Sequence, residues 1–142
     1  MDVRPATPRA VDPVIKGRLE IPRDPRFASV ARAWIVNTLT GWDIPEEVCD
    51  TAELLVSELF GNACLHVAGP GPATITAALW LGSIRITVSD PGTDITTVRP
   101  ADDGSDEHNR GLYLLDVLAA SHGVERTSTG KSVWFELAGG AP

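Results

Sequence analysis

Three residues in the stretch SELFGNACLHV, residues 57–67, have the types and the spacing to do chemistry: Glu58, Asn62 and His66. Positions four apart on an α-helix differ by about 40° around the axis, so a carboxylate, an amide and an imidazole form one slowly turning stripe. A carboxylate can accept a proton, and an amide oxygen can ligate a hard cation. The plainer reading is the polar face of a helix. The neighbours weaken it, because Leu54, Leu55, Val56, Leu59, Phe60 and Ala63 leave little other polar surface. A stripe hemmed in this way lines a cleft or meets a partner. His66, at the end of the run, reads better as a satisfied helix-end histidine than as a ligand.

Zinc chemistry is disfavoured. No HExxH spacing occurs, Cys49 and Cys64 fall off the stripe, and His108 and His122 lack ligand-like spacing. A Walker-type phosphate loop also fails. Gly130-Lys131-Ser132 ends like one, but Gly123 lies two residues too far upstream, and a strand rather than a helix follows. Two further stretches remain. In SDPGT (89–93), Asp90 ends an alternating run before Pro-Gly; this is commonly a turn, and it also suits a buried acceptor beside a glycine that admits a ligand. In RGLYLLDVLA (110–119) a glycine opens a helix, whose first N–H groups form an anion site. A glycine permitting close packing explains that position equally well.

The elements that must position these residues follow from periodicity. A short strand is expected over 17–22, a helix over 24–39 and a second helix over 45–67, with Pro45 as its first residue and Glu46 and Glu47 in its first turn. ATITAALWL (73–81) and SIRITVSD (83–90) alternate and form a hairpin about Gly82. Residues 91–109 are polar and acidic, and a loop of that length in a compact domain usually has a function or is disordered. A helix over 110–121 and strands over 123–128 and 131–137 complete the order. Hairpins imply antiparallel pairing, so the fold class is α+β: a two-layer sandwich of a mixed, mainly antiparallel sheet with helices on one face.

The 142-residue chain suits one domain, and its make-up (43% hydrophobic, 22% charged) is that of a globular protein. A net charge of −7 argues against direct nucleic-acid or anionic-membrane binding. Cys49 and Cys64, on one helix about 22 Å apart, cannot form a disulfide. Unpaired thiols, an N-terminus without an apolar signal core and no run of eighteen apolar residues make a cytoplasmic protein the expectation.

In order, SELFGNA, SDPGT, RGLYLLDVLA and GKSVWFEL resemble the N box, the two glycine boxes and the closing strand of the GHKL ATP-binding superfamily. The chain most resembles its single-domain members, the anti-sigma factor serine/threonine kinases. The match spans roughly 17–138, leaving an arm at 1–16 and a tail at 139–142. The resemblance implies ATP and Mg²⁺ as cofactors. It assigns Glu58 as general base, Asn62 as the Mg²⁺ ligand, Asp90 as acceptor of the adenine amino group, and Gly92 as the residue that lets adenine approach. Residues 93–109 would be the lid, with Arg110, Gly111 and Leu112 near the phosphates and Ser132 supporting the Asp90 end. The implied partners are a sigma factor and an anti-sigma factor antagonist, with a homodimer as a family habit.

A detached histidine-kinase catalytic domain is the lesser reading, since one domain uses up the chain and no phosphoaccepting dimerisation helix is seen. Two departures argue for weakened nucleotide binding: Asp94 and Asn109 stand where the family pattern has glycines. Asn tolerates the left-handed region better than most residues. Gly61, in mid-helix, costs about 1 kcal/mol relative to alanine, with no reason visible in the sequence.

Overall fold

The computed structural model describes residues 12–66, 71–92 and 107–139, without the side chains of residues 66, 107–110 and 112. Strand β1 (Ile15–Pro22) leads through a 3-10 turn (Pro25–Phe27) into α1 (Ala28–Gly41) and α2 (Glu46–His66). The hairpin β2 (Pro72–Trp80) and β3 (Ser83–Asp90) follows, then α3 (Glu107–Leu118), β4 (Ser121–Thr127) and β5 (Gly130–Ala138).

Local chemistry explains the boundaries. The Asp24 carboxylate accepts the Arg26 N–H at 2.9 Å and starts the 3-10 turn. Pro45 offers its carbonyl to the N–H groups of Val48 and Cys49, and Glu46 and Glu47 sit in the favourable first turn of α2. Gly82 takes the left-handed position of the hairpin turn (φ 84°), which a side chain would strain.

The strands lie in the order β1-β2-β3-β5-β4. All four pairings are antiparallel, so the expected mixed sheet contains no parallel pair among the described residues. Ile75, Ile84, Ile86 and Phe135 point to one face and are fully buried with Ile35, Leu39, Leu55 and Phe60 of the helices. On the opposite face Arg85 pairs with Glu136 at 2.8 Å and lies over the Trp134 ring. Gly123 makes room for that ring, since a Cβ there would stand 2.9 Å from it.

Several boundaries differ from expectation. β1 begins at Ile15, because its pairing with β2 continues to Leu79. α3 begins at Glu107, three residues inside the stretch expected to be loop, and ends at Leu118. It stops there because Ser121 already pairs with Glu136 in the sheet. Both cysteines are free thiols; Cys49 is buried, and burial pushes the Cys64 thiol above its ordinary range.

Gly61 has nothing within 4 Å of where a Cβ would stand. Gly61→Ala is therefore expected to stabilise the fold by about 1 kcal/mol. A thermal melt should show the midpoint rising by about 3 °C; an unchanged or lower midpoint would contradict this.

Candidate functional site

The polar stripe of α2 meets α3. Glu58 and Asn62 are half-buried, while Leu55, Leu59 and Ala63 of the same helix turn into the core. Gly111 is buried against the stripe: a Cβ at that position would stand 3.0 Å from Asn62 Nδ2 and 3.4 Å from Glu58 Cβ. Close packing is thus what Gly111 provides, and its partners are the two candidate chemical groups. Because α3 starts at Glu107, the N–H groups without intrahelical partners belong to residues 107–110 and not to Gly111. The anion-binding end of the helix is therefore displaced about one turn before the glycine.

A second group of residues gathers where β3 and β5 end. The Asp90 side chain is 5% exposed, and its Oδ1 accepts the Gly92 N–H at 2.8 Å. Its Oδ2 lies 3.6 Å from Lys131 Nζ, on a side chain 12% exposed. Asp90 and Lys131 are register partners on the helix-facing side of the sheet, one step beyond the buried pair Val88 and Val133. Gly130 is packed so tightly here that a Cβ would collide with the Asp90 carbonyl oxygen. Ser132 is buried, and its hydroxyl lies 2.7 Å from that of Ser89, so it braces the residue preceding Asp90. A cavity of about 230 Å³ at these strand ends is lined by Thr74, Ser89, Asp90 and Pro91, among others.

Arg23 ties the two groups together. Its Nε donates to the Gly71 carbonyl at 2.9 Å and a terminal nitrogen donates to the Ala63 carbonyl at 3.0 Å. Ala63 adjoins Asn62, and Gly71 rests on Pro91, next to Asp90; a Cβ on Gly71 would stand 3.0 Å from that ring. Sequence reasoning missed Arg23, and nothing in its pattern signals the role beyond a lone cation between a strand and a capping aspartate.

Over residues 21–137 the chain matches the family described as histidine kinase-like ATPase domain. This chain belongs to that family. It is also 38% identical over 89 residues to an uncharacterized protein of Streptomyces coelicolor, covering 61% of this chain and 85% of the relative. Membership in the histidine kinase-like ATPase family implies ATP binding and ATP-dependent phosphoryl chemistry in general. The residues fit such a ligand. Asn62 and Glu58 offer hard oxygen donors, and among the described residues no three His, Cys, Asp or Glu cluster as a metal cage. A magnesium ion at Asn62 would then complete its shell with phosphate oxygens and water, its usual mode.

Residues 93–106, including Asp94, and the side chains of His66, Asn109, Arg110 and Leu112 lie outside the description. No described helix is long and apolar enough to cross a membrane.

Arg23→Met would remove two charge-assisted hydrogen bonds to carbonyls. Such bonds are worth roughly 1.5–3 kcal/mol each, so a melting midpoint several degrees lower is expected. ATP affinity measured by calorimetry should fall with it; an unchanged affinity would show that Arg23 does not align the two halves.

Proposed function

We propose that this chain is an anti-sigma factor-type regulator of the cytoplasm that binds Mg-ATP and phosphorylates a serine or threonine of an anti-sigma factor antagonist. A sigma factor and the antagonist would compete for it, so phosphorylation controls transcription by partner switching. The observation that carries the reading is Glu58 one helical turn from Asn62, both packed under Gly111, within a domain of the histidine kinase-like ATPase family.

In this reading the antagonist's hydroxyl oxygen attacks the γ-phosphorus while its proton passes to the Glu58 carboxylate. The bond from phosphorus to the bridging oxygen breaks, and ADP departs with that electron pair. The protein contributes positioning and one base, which suits phosphoryl transfer, where there is little covalent chemistry for it to do. Asn62 would hold the metal that neutralises the phosphates, Asp90 the adenine amino group, and Gly92 the close approach of the base. Arg110, Gly111 and Leu112 would lie along the phosphates, and Ser132 would brace the strand behind Asp90. The proposed partners are proteins, a second copy of the chain among them, with nucleic acid and membrane disfavoured by the net charge of −7.

A second reading is a regulator that keeps the fold and partner surface but transfers phosphate poorly. The helical start at Glu107 favours it, because Asn109 then sits inside a helix where the family pattern expects a glycine in mobile backbone. Calorimetric titration with ATP and Mg²⁺ separates the readings. Heat of binding followed by transfer to an antagonist supports the kinase; no heat at millimolar nucleotide leaves only the binding module.

A further inference from the structure

We infer that Lys131 reads the base: its ammonium donates to a ring nitrogen beside the 6-amino group of adenine, while Asp90 Oδ2 accepts from that amino group. The inference rests on the ATP-binding reading and adds to it a specificity-determining residue.

The geometry of the pair carries it. Asp90 Oδ1 is engaged by the Gly92 N–H at 2.8 Å, which fixes the carboxylate plane and turns Oδ2 towards Lys131. The ammonium stops 3.6 Å from Oδ2, an ion pair in length but beyond hydrogen-bond distance. No hydrogen bond joins its N–H groups to any described residue. A lysine ammonium has three donors, and although the side chain is only 12% exposed, its nitrogen is not among the buried polar atoms that lack a partner, so a ligand can reach it. Among the described residues the strand ends thus present an acceptor and a donor side by side, both within reach of a ligand.

Such a pair matches an edge with a donor next to an acceptor. Adenine has this edge on both sides of its amino group, with N1 on one and N7 on the other; the amide side chains that read adenine exploit the same pattern. Guanine presents two adjacent donors, N1–H and its 2-amino group, which suit a carboxylate with both oxygens equally open. Here Gly92 already occupies one. Lys131 would thus sharpen the preference for adenine that Asp90 alone sets.

The rival explanation is plain charge compensation, a lysine placed only to neutralise a buried aspartate. A cycle combining a protein variant with ligand analogues separates the two, since only a direct contact couples them. Wild type and Lys131→Met are titrated calorimetrically with the magnesium complexes of ATP, 1-deaza-ATP and 7-deaza-ATP. Wild type should bind one analogue about tenfold or more weakly than ATP, the loss of one hydrogen bond to a charged group. The analogue that suffers identifies N1 or N7. Lys131→Met should bind ATP and that analogue equally.

Equal binding of all three by wild type would overturn the inference while leaving the nucleotide site standing, and so would a penalty that persists unchanged in Lys131→Met. Absence of binding by ATP itself would overturn the nucleotide reading and this inference with it. Circular dichroism checks the fold of the variant. If Lys131→Met does not fold, Lys131→Leu takes its place, because it too removes the ammonium donor and should lose the same discrimination.

Discussion

Glu58→Gln is expected to bind Mg-ATP within about twofold of wild type and to transfer phosphate to an antagonist at least 100-fold more slowly, since a positioned general base typically contributes 10²–10⁴. Glutamine keeps the length and shape of the side chain, so the packing of Gly111 against this turn of α2 is preserved. What it loses is the ability to accept a proton. Asn62 remains one turn away, so a cation ligated there and the phosphates it holds should be undisturbed. The measurement pairs calorimetry with transfer of labelled phosphate to a serine-bearing antagonist. Transfer at the wild-type rate would remove Glu58 as the base. A variant that fails to bind ATP would show instead that the carboxylate serves binding.

The elements of the sandwich could be read because each carries one clear period. The alternation of Ile75, Ala77 and Leu79 and of Ile84, Ile86 and Val88 survives directly as the buried face of β2 and β3. The first turn of α3 was not legible, because Glu107, His108 and Asn109 contain no apolar residue to set a helical phase. Glu58 and Asn62 were legible because their relation is local, one turn of one helix. Lys131 was not, because its partnership with Asp90 exists only through the register of β3 on β5, across 41 positions of chain. A slip of one residue would send Lys131 to the opposite face of the sheet. Arg23 escaped for the same reason: its acceptors are carbonyls, and a carbonyl leaves no trace in the residue type that carries it.

That dependence on register makes Gly130 the most sensitive point of the strand ends. Gly130→Ala is expected to destabilise the domain by about 2 kcal/mol or more, the upper range for forcing extra volume into packed structure. The added methyl would collide with the Asp90 carbonyl oxygen and stand 2.6 Å from the Pro91 Cα, and both obstacles are backbone that cannot rotate aside. β5 would have to move off β3, carrying Lys131 from Asp90 and Ser132 from Ser89 together. Gly111→Ala makes the informative contrast. Its nearest obstacle is the Asn62 side-chain amide at 3.0 Å, the end of a side chain that can yield. In urea the Gly130 variant should unfold about 1 M earlier than wild type, given slopes of 1–3 kcal/mol/M. The Gly111 variant should shift much less and lose Mg-ATP affinity instead, through the displaced amide. A Gly130→Ala midpoint equal to that of wild type would mean that the ends of β3 and β5 tolerate separation, and that Asp90 is held by Gly92 alone.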